Sequence, residues 1–472
     1  MDFGTESGRV LVLDLSTGEE VASSLVTYPH GVIDRQHPVT GEELPSDWAL
    51  QDPADYLTVI RHGVPAALRE AAIPAGAVIG LGIDFTSCTV LPVARDGKPL
   101  CQIDDWRRHP HAWPKLWKHH TAQPVADRLT QVARERAEPF LSRYGGRLSS
   151  EWYFPKLIEI WQEDRPVYDA CSSFLEATDW VVWQLTGTEH RSSCPAGYKA
   201  CWSPEDGIPS VAFFEAAYPG FSRPGEKLGS QFFALGSRAG RLRPDLADEI
   251  GLSPRVAVAV GNVDSFVSVP GAGVDSSGTY VMVVGTSICS MVVDPAEHRP
   301  PGITGVVRDG ILPGRYGYEA GQAAVGDMFA WFADQLGGPL TGGPAAPAAG
   351  RAYGDLEGAA GRLRPGEAGV VALDWWNGNR SILGDADLSG VMVGMTLGTG
   401  AEHLYRAALE AVAFGNRRIL DNLAEHGLAL SGIVACGGIA EKSPLLMQLL
   451  ADVGGLEVRV PASRQVPARG AA

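Results

Sequence analysis

The sequence has few of the features that mark secreted, membrane-spanning and nucleic-acid-binding proteins. Its seven cysteines are scattered and never form a CxxC pair, which argues against a disulfide framework and a zinc site. No apolar run reaches the length of about 18 residues that spans a membrane, and the amino terminus has no basic segment followed by an apolar one. The chain is therefore expected in the reducing cytoplasm, outside any membrane.

Positive charge is also scarce. Lys and Arg together number 39 against 55 Asp and Glu, a net charge of −16, and no long basic run occurs. Nucleic acid and anionic membranes are for that reason not expected as partners. The 472 residues are 45% apolar and 20% charged, an ordinary globular balance.

A chain of this length predicts two hydrophobic cores rather than one. Apolar runs typical of buried strands, such as 78–83 and 255–261, alternate with helical patterns, which predicts an α/β fold. The residues before the first of these runs fit a helix capped by Asp52 with Pro53 in its first turn. We place the domain division near Pro254, giving domains 1–254 and 255–472.

The first informative stretch is a short turn that follows Asp2. Residues 4–8 read Gly-Thr-Glu-Ser-Gly, and the apolar runs 9–13 and 21–26 then predict a β-hairpin. Such a turn offers N–H groups and hydroxyls to an anion, with Asp2 beside it for a metal. An ordinary glycine turn is the alternative. The sequence has no GxxxxGK[ST] phosphate loop, since 437–443 lacks the glycine before lysine.

The turn has a counterpart in the second half of the chain. FGTESGRVLVLD near the amino terminus matches VGTSICSMVVD from Val284 onward. Each is a Gly-Thr turn joined to an apolar strand that ends in Asp, which predicts an internally duplicated pair of domains. Two such turns facing each other suggest a nucleoside triphosphate in the cleft between the domains.

Further candidates lie at strand ends or among aromatic and small residues. Gly437 and Gly438 follow an apolar strand and let backbone approach a ligand, or else serve close strand–helix packing. Asp264, at another strand end, is placed to accept a hydroxyl proton, or else caps a helix. Lys199 and Glu319 suit polyol recognition, or else form an internal salt bridge. The Gly/Pro/Ala-rich stretch 337–360 predicts a surface excursion.

Together these segments resemble the FGGY family of carbohydrate kinases, and within it the L-ribulokinase group, along nearly the whole chain. The segments that carry the resemblance are DFGTESGRVLVLD, LPSDWALQDPADYL, GIDFTSCTVLPV, KLWKHH, SSEWYFPK, EATDWVVWQLTGT, AGYKA, AVGNVD, VGTS, YGYEAGQAAVGDMFAWF, LDWWNGNRS, LEAVAFG and CGG.

The resemblance implies a two-domain, actin-like (ribonuclease H-like) ATPase fold with the catalytic cleft between its domains. It implies transfer of the ATP γ-phosphoryl group to a ketopentose, with L-ribulose as first choice and Mg²⁺ as cofactor. Asp264 would be the general base and Asp2 would help place the metal. The family pattern would put the remaining ligands at Thr5, Ser7, Gly285, Thr286 and Ser287 for phosphate, Gly437 and Gly438 for the nucleoside, and Ser87, Lys199, Asp264 and Glu319 for the sugar.

The chain departs from the family pattern at a few positions. Both ends are shorter than is usual, and Ser265-Phe266 replaces Ala-His after the catalytic aspartate. Ser87 replaces a frequent alanine, and 441–443 differs from the usual loop. Two alternatives therefore stay open: a kinase for D-ribulose or D-xylulose, and an inactive sugar-binding protein. No partner protein is indicated, and a homo-oligomer is left open.

Overall fold

The structure is a computed structural model that describes residues 1–341 and 349–472, with side chains for all of these outside 337–352. Residues 342–348 of the predicted surface excursion lie outside this description, and the rest of that stretch belongs to two helices. Within the described ranges, no helix is long and apolar enough to cross a membrane.

The strands are short, and most fall into two large sheets. In chain order they are β1 (Asp2–Phe3), β2 (Ser7–Leu13), β3 (Glu20–Thr27), β4 (Gly80–Leu81), β5 (Asp84–Phe85), β6 (Val90–Val93), β7 (Ser173–Glu176), β8 (Arg191–Ser192), β9 (Phe232–Phe233), β10 (Arg238–Arg241), β11 (Ala257–Ala259), β12 (Asn262–Val263), β13 (Thr279–Val284), β14 (Ile288–Asp294), β15 (Gly305–Arg308), β16 (Tyr316–Gln322), β17 (Val371–Leu373), β18 (Val391–Val393), β19 (Gly432–Cys436) and β20 (Val458–Arg459).

Helices connect these strands and cover the sheets. They are α1 (Pro53–Thr58), α2 (Val64–Ala71), α3 (Gln123–Glu135), α4 (Tyr153–Glu163), α5 (Arg165–Ala170), α6 (Ala177–Thr186), α7 (Ser193–Lys199), α8 (Val211–Ala217), α9 (Pro244–Ile250), α10 (Asp264–Gly271), α11 (Val325–Thr341), α12 (Ala349–Ala360), α13 (Ala401–Glu425), α14 (Gly438–Lys442), α15 (Pro444–Gly454) and α16 (Val466–Ala471).

The two main sheets share one strand plan. The first has the order β12-β5-β1-β2-β3, and the second has β15-β16-β14-β13-β19-β20. In each sheet an antiparallel hairpin (β1–β2 or β13–β14) continues into a third antiparallel strand, while two later strands add in parallel on the other side. The predicted duplication is confirmed, and so is the predicted hairpin of the runs 9–13 and 21–26, which form β2 and β3.

The predicted division after residue 254 stays a prediction, although the sheets favour a later point. Strand β11 pairs with β4, and β12 pairs with β5, so the amino-terminal sheets extend to residue 263. Helix α16 returns from the carboxyl end to pack on α10 and to contact β1 and β5. Strand pairing therefore favours a division after β12.

Local sequence signals place α1 where they predict it. The Asp52 carboxylate accepts a hydrogen bond from the Ala54 N–H at 2.9 Å, and Pro53 occupies the first turn. This combination of cap and proline is a strong helix start. Tyr56 of this helix is fully buried against Phe3 and Phe85, which anchor β1 and β5 in the amino-terminal core.

Candidate active site

The first Gly-Thr turn is tight and held by its neighbours. The Gly4 N–H donates to the Ser7 carbonyl at 2.9 Å, which closes the turn between β1 and β2. The Trp117 indole donates to the Thr5 hydroxyl at 3.1 Å, and the Gln51 amide donates to the Thr5 carbonyl at 2.6 Å. Thr5 is thus fixed by two long-range contacts, which is a reason for its hydroxyl to keep one orientation.

The second turn repeats this arrangement in the other half. The Gly285 N–H donates to the Ser287 carbonyl at 3.0 Å between β13 and β14. The Ser287 hydroxyl accepts a hydrogen bond from the Ala324 N–H at 3.1 Å, and the Thr286 carbonyl accepts one from Gly326 at 2.8 Å. The start of α11 therefore fixes this turn.

Three aspartates lie close together at one end of the parallel strands of the first sheet. Asp2 on β1 lies opposite Asp84 on β5, and Asp84 lies opposite Asn262 on β12, with Asp264 two residues further on. The three strands are parallel and in register, so Asp2 and Asp84, the first residues of β1 and β5, lie side by side, and Asp264 directly follows β12. Asp84 is fully buried, and among the residues that the structure describes neither of its carboxyl oxygens has a hydrogen-bond partner.

The surroundings raise the pKa of two of these carboxyl groups. For Asp264, removal from water and then the charge of Asp2 raise the pKa to about 7, against the lowering effects of the Ser265 N–H and Lys199. Burial and the Asp2 carboxylate raise the pKa of Asp84 well above its usual value. Groups with such shifts are typical of catalytic centres.

Asp264 does not cap its helix. It is the first residue of α10, the N-cap position belongs to Val263, and no side-chain capping bond is made there. The carboxylate instead accepts a hydrogen bond from the adjacent Ser265 N–H at 2.6 Å. The helix-cap alternative for Asp264 is therefore wrong.

Lys199 and Glu319 form a buried ion pair across the two halves. Lys199 Nζ, from α7, donates to Glu319 Oε2, from β16, at 2.9 Å, and both side chains are 3% exposed. Arg380 Nη2 donates to the other carboxylate oxygen of Glu319 at 2.7 Å. Burial alone would raise the pKa of Glu319, but Lys199 and then Arg380 bring it below its ordinary value. The salt-bridge alternative is present, and polyol binding stays a prediction.

Aromatic rings enclose this ion pair on one side. Phe266 is fully buried and stacks on Tyr198, with ring centroids 4.1 Å apart. Lys199 Nζ lies 5.5 Å from the centre of the Phe266 ring, a distance at which a cation is attracted to the ring face. The departure from the family pattern at Phe266 thus places an apolar ring against the cation of the proposed sugar site.

Ser87 lies at the end of β5, on a turn with an unusual backbone. Its hydroxyl is 3.3 Å from the Cys88 thiol, and Cys88 has a left-handed φ of 58°. Such a conformation is uncommon for a residue with a side chain and is stable only when its surroundings hold it.

The two glycines after β19 have different surroundings. Gly437 has a φ of +97°, and a Cβ there would lie 2.7 Å from the Val284 carbonyl oxygen. Gly438 begins the short helix α14, and a Cβ there would meet none of the described residues within 4 Å. Close packing against β13 explains Gly437, whereas Gly438 faces open space that a ligand can enter.

Two cavities are relevant to the site. One of about 200 Å³ lies between the halves beside Arg380. A larger one of about 540 Å³ is lined mostly by aliphatic residues. None of the predicted site residues lines either cavity. The smaller cavity is the better candidate for a polar substrate. Its lining includes Ser150, Glu151, Thr304, Asn379 and Arg380.

These carboxylates suit a magnesium ion that also binds phosphate and water better than they suit a metal ion held by protein side chains alone. Among the described residues, no group of three or more His, Cys, Asp or Glu side chains is arranged to hold a metal. Mg²⁺ in nucleotide sites uses one or two carboxylates and takes its other ligands from phosphate and water. Asp2 together with the unpartnered Asp84 meets that requirement.

Known proteins similar to this chain are sugar kinases. The family model "FGGY family of carbohydrate kinases, C-terminal domain" matches residues 280–472. The ribulokinase of Shouchella clausii is 51% identical over 100% of this chain and 84% of its own length. That of Mycolicibacterium smegmatis is 44% identical, with the same coverage. The chain therefore belongs to the FGGY family of carbohydrate kinases.

Solved structures agree on the fold. The xylulose kinase from Rhodospirillum rubrum has a TM-score of 0.78 at 20% identity, covering 99% of this chain and 87% of that one. The Plasmodium falciparum glycerol kinase with ADP has a TM-score of 0.78 at 16% identity, covering 100% and 87%. At such low identity these likenesses concern the fold alone, and they confirm the two-domain α/β architecture.

The structure brings predicted site residues together in two groups, an aspartate group and an ion pair, and adds one residue to each of them. Asp2 and Asp264 meet at the first sheet, and Lys199, whose charge acts on Asp264, links them to Glu319. Asp84 was not predicted, although Asp84-Phe85-Thr86 repeats the Asp-Phe of Asp2-Phe3 and signals an equivalent strand end. Arg380 lies in the segment LDWWNGNRS, which carries part of the resemblance, but no signal in the sequence assigned a role to this arginine.

Proposed function

We infer that this chain is an ATP-dependent ribulokinase, which phosphorylates ribulose as in arabinose catabolism, with L-ribulose 5-phosphate as the product. The observation that carries this inference is the identity of 44 to 51% with ribulokinases over the whole chain. The duplicated strand plan and the aspartates grouped at one end of the parallel strands support this inference.

Asp264 is proposed to start the chemistry as the general base. It accepts the proton of the sugar hydroxyl, whose oxygen forms a bond to the γ-phosphorus while the bond from that phosphorus to the bridging oxygen breaks and ADP leaves. A base works best when its pKa is near the working pH, and a pKa of about 7 satisfies that condition. Most of the remaining catalysis in phosphoryl transfer is positioning and charge stabilisation.

The two turns are proposed to hold the phosphates. Thr5 and Ser7 lie on one turn, and Gly285, Thr286 and Ser287 lie on the other, with N–H groups and hydroxyls available to an anion. Gly437 and Gly438 follow β19, the strand beside β13, and are proposed to lie against the nucleoside.

Asp2 and Asp84 are proposed to hold the Mg²⁺ that accompanies ATP. When bound, the ion neutralises charge that develops on the transferred phosphoryl group. Asp84 is included because it is buried and has no hydrogen-bond partner in the described part of the chain, and such a carboxyl group is costly unless something else compensates it.

The sugar is proposed to bind among Ser87, Lys199, Asp264 and Glu319. Lys199 and Glu319 supply charged hydrogen-bond groups from opposite halves, and Arg380 extends the site toward the cavity of about 200 Å³. Sites built on hydrogen bonds discriminate strongly against a misplaced hydroxyl, so this group would set which ketose is accepted.

A second candidate is a kinase for another ketose, D-ribulose or D-xylulose. The observation that favours it is Phe266, whose ring packs on Tyr198 beside Lys199 and reduces the polar surface there.

The seven cysteines, all unpaired thiols, support the cytoplasm as the place where the protein works.

The test is sugar-dependent ADP release by the purified chain with Mg-ATP. L-ribulose, D-ribulose and D-xylulose are compared at several concentrations, beside a blank without sugar. We expect the highest kcat/KM with L-ribulose. A higher value for another ketose would replace the sugar assignment, and no release with any sugar from folded protein would favour the inactive sugar-binding alternative.

A further inference from the structure

Lys156 on α4 is a buried cation with an unusual set of partners. It is fully buried, and its ammonium donates hydrogen bonds to the backbone carbonyls of Cys88 at 2.7 Å and Leu116 at 2.8 Å. Within the described ranges no carboxylate lies within 4.0 Å of this ammonium, whereas Lys115, equally buried, pairs with Glu159 at 3.0 Å. A buried charge without a counter-ion is costly, so its retention suggests a specific task.

The two carbonyls belong to segments that lead to different parts of the proposed site. Cys88 has the left-handed φ of 58° and follows Ser87, the proposed sugar contact. Leu116 precedes Trp117, whose indole donates to the Thr5 hydroxyl on the first phosphate turn at 3.1 Å. One ammonium therefore connects the sugar side of the cleft with the phosphate side.

The charge of Lys156 is also sensitive to pH. Burial lowers the pKa of Lys156 to about 8; Cys88, Glu176 and Glu151 act in the opposite direction, and Lys115 adds to the lowering. Hydrogen bonds from an ionised donor are roughly twice as strong as neutral ones. The connection is therefore strongest below this pH and weakens as the pH rises through it.

We propose that Lys156 is a positioning residue that holds the Ser87–Cys88 turn and the Leu116–Trp117 segment in register, and so aligns the sugar with the phosphate turn. The kinetic part of this proposal rests on the kinase function proposed above. The structural part does not, because the two segments are connected whatever the substrate is.

The chain offers a matched control for a substitution of Lys156. Lys227 is also a buried lysine, and its ammonium donates to the Cys171 carbonyl, on segments that contain none of the proposed site residues. Lys156→Met and Lys227→Met each remove one buried ammonium that binds backbone. An effect specific to Lys156 should therefore separate from a general loss of stability.

The first measurement is hydrogen exchange of both variants without any ligand, followed by mass spectrometry. Lys156→Met is expected to accelerate exchange in peptides that cover 85–90 and 114–119, whereas Lys227→Met leaves both unchanged. Unchanged exchange in Lys156→Met would overturn the proposal. If that variant does not fold, the wild type above and below pH 8 gives the same comparison, and equal protection of both segments at the two pH values would overturn it.

The second measurement is steady-state kinetics. Because misplacement by about 1 Å can cost on the order of 100-fold in rate, kcat/KM for ribulose is expected to fall about 10- to 100-fold in Lys156→Met, with the larger change in the sugar KM than in the ATP KM. Lys227→Met should match the wild type. If the wild-type protein shows no turnover, the proposed function is contradicted. The hydrogen-exchange result then decides by itself whether Lys156 holds the two segments.

Discussion

The two halves of the molecule share one strand plan and place opposite kinds of residue on it. Asp2 and Asp84 are paired at the start of β1 and β5, and Asp264 directly follows β12. The corresponding paired positions of β13 and β19 are held by Val283 and Cys436, and Gly437 follows directly after β19. One half supplies carboxylates for proton and metal chemistry, and the other supplies backbone that a ligand can approach closely.

The comparison shows that the backbone arrangement shared by the two halves does not determine which chemical role each half can have. Each turn is closed by a hydrogen bond from its glycine N–H to a serine carbonyl, 2.9 Å from Gly4 to Ser7, three positions on, and 3.0 Å from Gly285 to Ser287, two positions on. What differs is the residue at the paired positions: burial and the Asp2 carboxylate raise the pKa of Asp84 and Asp264 in the first half, whereas Val283 and Cys436 have no carboxyl group. The following predictions test this division of roles.

The largest effect is expected from Asp264→Asn. An amide of the same shape cannot accept the hydroxyl proton, so kcat should fall about 10³-fold, the range typical of a lost general base. Calorimetry should show ribulose bound with nearly unchanged affinity, since only a transition-state role is lost.

The control for this substitution is Asp275→Asn. Asp275 is exposed on the loop that follows the same helix, so its variant should have wild-type kinetics. Full activity in Asp264→Asn would refute the assignment of the base and, with it, the chemical role of the first half.

The second effect concerns the metal. Asp84→Asn should raise the Mg²⁺ concentration needed for half-maximal rate about 10- to 100-fold, as is typical when a metal site loses a supporting group. Binding of Mn²⁺-ATP, followed by electron paramagnetic resonance, should weaken in parallel. An unchanged metal dependence would mean that Asp84 is a buried acid without a role in the site.

The sequence predicts the fold well because the signals for it are local. The Gly-Thr turns, the flanking apolar strands and the Asp52-Pro53 helix start each depend on neighbours in the chain, and the structure has all of them. Asp84 and Arg380 were missed because their roles arise from long-range partners. The register of β1 against β5 and the 2.7 Å contact of Arg380 with Glu319 join residues that are 82 and 61 positions apart.

The third effect is a pH dependence that comes from Asp264 in the first half. With a pKa of about 7 for Asp264, the base is ionised above that pH and protonated below it. We expect kcat/KM to fall about tenfold for each pH unit below 7, as for a single essential base. A profile that is flat from pH 5.5 to 8, in enzyme that stays folded, would contradict this assignment.

The smallest effects come from the second half, where Gly437→Ala and Gly438→Ala form a matched pair. Gly437 has a φ of +97°, and an added Cβ would lie 2.7 Å from the Val284 carbonyl oxygen, so its variant should lose about 1–3 kcal/mol of unfolding free energy. An added Cβ at Gly438 meets none of the described residues within 4 Å, so its thermal stability should stay the same.

The Gly438→Ala variant therefore tests ligand binding alone, because any loss of activity must come from contact between the added Cβ and a ligand in the open space beside Gly438. If the nucleoside lies there, the KM for ATP should rise about tenfold, equivalent to about 1.4 kcal/mol of lost contact, while the KM for ribulose stays unchanged. An unchanged KM for ATP would place the nucleoside elsewhere. The glycines of the second half would then serve strand packing alone, and the contrast between the halves would rest on the two Gly-Thr turns.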